Sequence, residues 1–126
     1  MAPLKVLIAE DEKVTQRVYQ ASLPGTLCQC KIADNGEDAI RLYDEWKPDV
    51  VLLDFSMPTL NGYQVLKTIR EERRDKATVI IMVTGQSDKD SIVACAKLGV
   101  HGYIVKPFIN KQLAPKIVKI YRDSKK

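Results

Sequence analysis

The sequence has few cysteines, a single histidine and few aromatic residues, and each shortage argues against a class of protein. Three cysteines are an odd number, and no secretion signal precedes them, so a disulfide framework is disfavoured. Cys28 and Cys30 fall in a strand-like segment and Cys95 in a helix-like one. We therefore interpret them as small buried thiols rather than as a zinc site with His101.

Long apolar runs are also absent from the sequence. No run approaches the roughly 20 residues that a membrane-spanning helix needs. The short apolar run near the N-terminus leads at once into acidic residues, which is not typical of a signal peptide. Hydrophobic residues make up 45% and charged residues 29% of the chain, as in a globular protein. The sequence thus predicts a cytoplasmic protein without membrane contact, with one domain over residues 1–126 and no output domain.

The positive charge is concentrated at one end of the chain. The net charge is +4, but residues 111–126 contain six basic residues against one acidic residue and so carry +5. We hypothesise that this segment docks an acidic protein partner. The alternative is that its basic residues only complement the dipole of a final helix. Nucleic acid is a disfavoured partner, because aromatic residues are not interleaved with this basic set.

Apolar runs alternate with amphipathic segments along the whole chain. Five runs are typical of strands, and they lie at residues 4–9, 27–33, 50–53, 78–85 and 102–107. Five segments have helical spacing, and they lie at residues 11–25, 34–49, 63–74, 87–99 and 110–126. Such alternation predicts an α/β fold with a parallel sheet covered on both faces. The second run alternates apolar and polar residues, as a strand near a sheet edge does.

The spacing of apolar residues also predicts which helix faces are buried. In the first helix, Val14, Val18 and Ala21 recur at helical intervals. In the third helical segment, we expect the charged end, residues 70–74, to face water.

The helix ends are predicted from capping residues and from proline. We expect Ser87 or Asp88 to open the fourth helix and Gly99 to close it. Pro115 predicts that the last helix starts late or is locally distorted, because proline lacks the N–H that a helix interior needs.

Polar side chains follow four of the five predicted strands. Glu10 and Asp11 follow the first strand, Asp54 ends the third, Thr84 closes the fourth and Lys106 follows the fifth. Ligands of an open parallel sheet bind at the carboxyl ends of its strands. We therefore expect three carboxylates, one hydroxyl and one lysine to converge there.

Three neighbouring carboxylates would raise one another's pKa unless a cation neutralised them. Mg²⁺ (or Mn²⁺) suits oxygen ligands from Asp11, Asp54, a backbone carbonyl and waters, with Glu10 acting through water. Lys106 and Thr84 are then left to bind an anion. The set predicts a phosphoryl-accepting site with Asp54 as its nucleophile.

Four motifs, "LIAEDE", "VVLLDFSMPTLNG", "IIMVTG" and "GYIVKPF", occur in an order and spacing that strongly resemble the response-regulator receiver domain of two-component signalling. The resemblance covers residues 4–121. It implies a flavodoxin-like (βα)5 three-layer sandwich whose five-stranded parallel sheet has the order 2-1-3-4-5.

The resemblance also implies a role for each residue at the strand ends. Asp54 is similar to the family's phosphorylation site, and Glu10 and Asp11 to its acidic metal pair. The backbone carbonyl of Ser56 corresponds to the third protein ligand of the metal.

On the other side of the predicted site, the resemblance implies a switch. Thr84 is similar to the switch hydroxyl, Lys106 to the phosphate-binding lysine and Tyr103 to the switch aromatic residue. The Lys106–Pro107 peptide bond is implied to be cis, which proline permits. Phosphorylation would then reshape the surface formed by the fourth helix, fifth strand and fifth helix.

The implied function is a phosphorylation-dependent signalling switch that catalyses only its own phosphorylation and dephosphorylation. Its implied partners are a sensor histidine kinase or phosphotransfer protein and a downstream protein target. We expect a monomer or a weak dimer.

The sequence disfavours three alternative functions. A phosphohydrolase with an aspartyl-phosphate intermediate would need an acid two residues after its nucleophile, where Ser56 stands. A flavin-binding module would need a phosphate-cradling loop where "EDE" stands. A binding module that works without phosphorylation is disfavoured, because all the expected site residues are present.

Overall fold

The computed structural model describes residues 2–85, 89–108 and 110–125. Five strands form one parallel sheet of order β2-β1-β3-β4-β5. The strands are β1 (Leu4–Ala9), β2 (Cys28–Ala33), β3 (Val50–Asp54), β4 (Val79–Thr84) and β5 (Gly102–Val105). The helices are α1 (Lys13–Ser22), α2 (Gly36–Trp46), α3 (Gly62–Lys67), α4 (Lys89–Leu98) and α5 (Asn110–Ser124), and α3 continues as a π-helix over Thr68–Glu72. The predicted fold class and strand order are confirmed.

The sheet separates two apolar layers because successive side chains of a strand point to opposite faces. Leu52 on β3 packs in the layer that contains Ile117 of α5. Its neighbour Leu53 packs in the layer that contains Leu66 of α3. All five residues of β3 are buried, whereas β2 at the edge alternates between buried and exposed residues, as predicted. The central strand is thereby a rigid support for the residue at its carboxyl end.

The predicted buried face of α1 is wrong. Val14 is 71% exposed, Ala21 is exposed and Val18 is only half-buried. The helix instead buries Gln16, Tyr19 and Ser22. The large ring of Tyr19 lies 5.0 Å from the ring of Phe108, measured between centroids, and so removes more apolar surface from water than a valine could.

The charged end of the third helical segment does not lie wholly in water as predicted. Arg70 is buried, and its guanidinium donates hydrogen bonds to three backbone carbonyls. Nε lies 2.9 Å from Gly99 O, one Nη lies 2.7 Å from Asp75 O and the other lies 2.9 Å from Thr78 O. Residues 71–74 are exposed as expected. Arg70 therefore joins the π-helix to the segment before β4 and to the turn before β5.

Gly99 ends α4 as predicted. Its φ of +102° is in the left-handed region that favours glycine, and its N–H donates to Cys95 O at 3.1 Å. The predicted N-caps of this helix, Ser87 and Asp88, lie outside the described residues.

Of the two effects predicted for Pro115, the late start of the last helix is wrong, and the local distortion stays a prediction. α5 begins at Asn110 and continues through Pro115 to Ser124. Pro115 is exposed, so its ring lies on the outer side of the helix. Its nitrogen has no hydrogen to donate to the carbonyl of Lys111.

The cysteines are free thiols on β2 and α4, as the sequence predicted. Cys28 and Cys95 are buried and Cys30 is half-buried. Burial raises the pKa of all three thiols, that of Cys30 to about 11, so they are protonated at neutral pH. Among the described residues, no helix is long and apolar enough to span a lipid bilayer.

Candidate functional site

The carboxyl ends of β1, β3 and β4 and the segment after β5 meet at one edge of the sheet. Asp54, Ser56, Thr84 and Tyr103 line a cleft there of about 340 Å³. Thr84 is half-buried at the end of β4, and its carbonyl accepts a 2.8 Å hydrogen bond from the N–H of Lys106. The backbone thus holds the predicted hydroxyl and lysine side by side.

Three carboxylates are brought together at this edge. One oxygen each from Glu10, Asp11 and Asp54 lies within 4.8 Å of the others. Glu10 is fully buried and Asp54 is 8% exposed, while Asp11 is more accessible. Like charges at this separation repel strongly in a buried place, and hard oxygen ligands of this kind fit Mg²⁺ or Mn²⁺.

Lys106 lies between two of these carboxylates. Its Nζ is 2.6 Å from Glu10 Oε1 and 3.4 Å from Asp54 Oδ1. The second oxygen of Glu10 accepts a 3.1 Å hydrogen bond from the N–H of Glu12. Burial lowers the pKa of Lys106, but its hydrogen bond to Glu10 and the charge of Asp54 outweigh burial and raise it. The lysine is therefore charged and balances one of the buried negative charges.

The surroundings of Asp54 raise the pKa of its carboxyl group. Its burial, and then the charge of Glu10, raise the pKa of Asp54 to about 6, although Lys106 acts in the opposite direction. A cation bound beside Asp54 would stabilise the ionised form, because an opposite charge lowers the pKa of a carboxyl group.

Tyr103 closes the side of the cleft formed by α4. The ring is half-buried, and its hydroxyl donates a 2.9 Å hydrogen bond to Ile92 O. Burial raises the pKa of Tyr103, so the hydroxyl is protonated and acts as this donor at neutral pH. The implied cis bond between Lys106 and Pro107 is present.

A family model of the response regulator receiver domain matches residues 6–118. The chain belongs to this family. Receiver domains are signalling proteins of two-component systems rather than classical enzymes, and they typically bind Mg²⁺ at acidic residues such as the cluster found here.

The relatives of this receiver domain include proteins of similar length and longer proteins. The chemotaxis protein CheY of Pseudomonas aeruginosa is 32% identical over 119 residues, which cover 94% of this chain and 96% of that protein. A probable transcriptional regulator, ycf27 of Guillardia theta, is 36% identical over 122 residues, which cover 97% of this chain. The chain spans about half of that relative, 47% of its length. The solved DrrB receiver domain is 28% identical with a TM-score of 0.80, covering 95% of this chain and 98% of that one.

The loop that follows Asp54 in this receiver domain requires glycine at one position. A Cβ atom on Gly62 would lie 2.4 Å from the carbonyl oxygen of Asp54, closer than any such contact allows. The N–H of Gly62 also donates to Phe55 O at 2.9 Å. Gly62 therefore lets the loop fold back against the carboxyl end of β3. Ser56 is exposed in the loop, and the metal-binding role of its carbonyl stays a prediction.

Two residues near the site were missed by the sequence predictions. Thr59 has a φ of 66°, which is rare for a β-branched residue, and its Oγ1 accepts a 3.1 Å hydrogen bond from the N–H of Glu37. Gln16 is a buried polar residue of α1 whose amide reaches the backbone of Glu10. The sequence signal for Gln16 is its three-residue spacing from Tyr19, which is readable only once the buried face of α1 is known.

The raised pKa of Asp54 predicts that this receiver domain is more stable when that carboxyl is protonated. A folded-state pKa of about 6 against an ordinary 3.8 means that the folded state binds the proton more tightly. In the absence of divalent cations, the contribution of Asp54 to stability should therefore fall as the pH rises from 3.8 through about 6. Asp54→Asn, which cannot ionise, should increase the free energy of unfolding at neutral pH by up to roughly 3 kcal/mol.

Urea unfolding of the native protein and of Asp54→Asn in EDTA measures this difference. It should shrink as the pH is lowered towards the ordinary carboxyl pKa of 3.8 and should also shrink when Mg²⁺ is added at neutral pH. A variant that is less stable than the native protein at neutral pH without metal would contradict the prediction.

Proposed function

We propose that the protein is a phosphorylation-dependent signalling switch in which Asp54 accepts a phosphoryl group from a sensor histidine kinase or a phosphotransfer protein. The observation that carries this proposal is the convergence of three carboxylates within 4.8 Å, with Lys106 bridging two of them. Glu10, Asp11, Asp54 and the carbonyl of Ser56 would hold Mg²⁺ or Mn²⁺. The bound cation would neutralise the carboxylates and the incoming phosphoryl oxygens.

The chemistry assigned to Asp54 is nucleophilic. One carboxylate oxygen forms a bond to phosphorus while the bond from phosphorus to the donor's histidine nitrogen breaks. The product is an acyl phosphate, and the donor's imidazole leaves with the electron pair of the broken bond. β3 is buried along its whole length, so the attacking carboxylate is held in place by the core.

Two side chains can then bind the new phosphoryl oxygens. Lys106 already lies 3.4 Å from Asp54 Oδ1 and can exchange its bond to Glu10 for a bond to phosphate. Thr84 lines the same cleft and can donate its hydroxyl to an oxygen. In this proposal, Lys106 and Thr84 stabilise the transferred charge and Thr84 also begins the switch.

The conformational change would begin at Thr84 and extend to Tyr103. If Thr84 moves towards the phosphoryl group, it leaves space in the cleft that the two residues line together. If Tyr103 fills this space, its hydroxyl would leave its hydrogen bond to Ile92 O in α4. Phosphorylation would thereby favour one arrangement of α4, β5 and α5 over another.

The surface formed by α4, β5 and α5 is proposed to bind the downstream protein target. Val93 on α4 is 52% exposed and Val105 on β5 is 64% exposed, and such apolar residues suit a protein interface. Lys116 and Lys119 on α5 are exposed and would favour an acidic partner. The DrrB receiver domain was solved in a BeF3-activated form, which supports a switch in a relative. A cytoplasmic location and a monomer or weak dimer belong to the same proposal.

Incubation with acetyl phosphate tests the proposed function without knowledge of the partner kinase. The native protein with Mg²⁺ should gain the mass of one phosphoryl group in an intact-mass spectrum. The same incubation in EDTA should give little gain, because the carboxylates would repel the phosphoryl donor. The absence of any mass gain with Mg²⁺ would defeat the phosphoacceptor proposal.

A further inference from the structure

Gln16 is a buried side chain that joins three segments of the site. It lies on α1 and is 8% exposed. Its Nε2 is 2.6 Å from the carbonyl oxygen of Glu10, at the end of β1, and 2.7 Å from Asp34 Oδ1, just after β2. Both partners are acceptors, so the amide must present its NH2 group to them, and each hydrogen has one partner.

The bond to Glu10 O acts on the peptide unit between the two acidic residues of the proposed metal pair. The six atoms from the Cα of Glu10 to the Cα of Asp11 lie close to one plane. A hydrogen bond that fixes the carbonyl oxygen therefore restricts rotation of the whole peptide plane about the line between the two Cα atoms. The side chain of Glu10 departs from one end of this unit and that of Asp11 from the other. One bond from Gln16 thus holds the peptide unit from which both acidic side chains depart.

Asp34 holds the amide of Gln16 from the opposite side. Hydrogen bonds from Gln16 and Lys13 lower the pKa of Asp34, so it is an ionised acceptor at neutral pH. Lys13 Nζ lies 3.0 Å from the same Oδ1, but both side chains are more than half exposed, and such pairs contribute little. The hydrogen bond from Gln16 to Asp34 is therefore the interaction that keeps the amide oriented towards Glu10 O.

We propose that Gln16 is a positioning residue, anchored by Asp34, that holds the peptide unit of Glu10 and Asp11 in the orientation needed to bind Mg²⁺. It does not touch the metal. This inference rests on the proposed function, because it deepens the account of the same site. It assigns part of the metal affinity to residues that are neither carboxylate ligands nor phosphate contacts.

The orientation that Gln16 provides should matter more for Mg²⁺ than for Ca²⁺. Mg²⁺ requires nearly octahedral geometry at short distances, whereas Ca²⁺ accepts irregular coordination and longer bonds. If Gln16 orients the ligands, its loss should weaken Mg²⁺ binding and leave Ca²⁺ binding largely intact. If Gln16 only supports the fold, both metals should bind more weakly by the same factor. The ratio of the two affinities therefore separates a positioning role from a structural one.

Titration calorimetry with MgCl2 and with CaCl2 on the full chain provides the test. Gln16→Met keeps the length of the side chain and removes both donors, and Gln20→Met is the matched control on an exposed position of the same helix. Gln16→Met should weaken Mg²⁺ binding about tenfold and Ca²⁺ binding no more than about twofold. Gln20→Met should change neither affinity.

The anchor is tested on an exposed residue, so that the result does not depend on Gln16→Met folding. Asp34→Ala removes the acceptor and should weaken Mg²⁺ binding in the same direction as Gln16→Met. Asp34→Asn keeps an oxygen that can accept from Gln16, and it should retain most of the Mg²⁺ affinity. Urea unfolding in EDTA checks that each variant is folded before it is titrated.

Two outcomes overturn the inference alone: Mg²⁺ affinity that is unchanged in both Gln16→Met and Asp34→Ala, or equal losses of Mg²⁺ and Ca²⁺ affinity. Failure of the native protein to bind Mg²⁺ would overturn the proposed function and this inference with it. The two failures are thus distinguished by the native titration.

Discussion

Asp54→Asn is expected to abolish phosphoryl uptake from acetyl phosphate in the presence of Mg²⁺. The amide has nearly the shape of the carboxylate but lacks its negative charge and nucleophilic oxygen, so no acyl phosphate can form. Intact-mass spectrometry should show the phosphorylated species for the native protein and only the unmodified mass for the variant. Because Asp54→Asn is also expected to be at least as stable as the native protein without metal, the loss cannot be ascribed to unfolding.

The chain offers a control for this variant at the other end of the same strand. Asp49 precedes β3, and its Oδ2 accepts a 2.9 Å hydrogen bond from the N–H of Lys5. Asp49→Asn can keep this bond and should be phosphorylated like the native protein. Continued phosphorylation of Asp54→Asn would show that another group, such as Glu10 or Asp11, accepts the phosphoryl group.

Lys106→Met should destabilise the protein strongly when divalent cations are absent. Nζ is 2.6 Å from a carboxylate that is fully buried, and removal of one partner of a buried ion pair leaves an uncompensated charge. We expect the free energy of unfolding at neutral pH to fall by roughly 3 kcal/mol. Mg²⁺ should restore much of this loss, because it supplies positive charge to the same carboxylates.

Urea unfolding with EDTA and with Mg²⁺ measures both parts of this prediction. Lys13→Met is the control, because it removes a lysine whose pair with Asp34 is exposed to solvent. Its effect should be no more than about 1 kcal/mol. Equal stability of Lys106→Met and the native protein in EDTA would contradict the prediction.

The polar residues at the strand ends could be predicted from the sequence, because each follows a short apolar run that is typical of a strand. The apolar run of β3 and its position in the alternation place Asp54 at the edge where ligands bind. The same reasoning predicts that Lys106 lies near Asp54, although 52 positions separate them in the sequence. In the structure, Lys106 Nζ lies 3.4 Å from Asp54 Oδ1. Which carboxylate the lysine contacts more closely could not be predicted, because the 2.6 Å distance to Glu10 depends on side-chain rotamers.

The residues that the sequence did not reveal act through backbone groups of distant segments. Arg70 reads as part of an exposed charged helix end, but it binds three carbonyls that are assembled only in the folded chain. Gln16 lies outside the buried face that the spacing of Val14 and Val18 predicts. Periodicity measures where apolar residues recur, and it cannot identify a polar residue whose partner is a carbonyl oxygen.

Arg70 also has a consequence for how α4 can move. Its 2.9 Å bond to Gly99 O holds the carboxyl end of α4, whereas Tyr103 contacts the helix at Ile92. Leu98 is six positions after Ile92, a distance of about 9 Å at the rise of an α-helix. Loss of the Tyr103 hydrogen bond at Ile92 would therefore let α4 rotate about its carboxyl end, which Arg70 holds at Gly99. The largest displacement would occur at its amino end, so a small change beside Asp54 would be magnified along one helix.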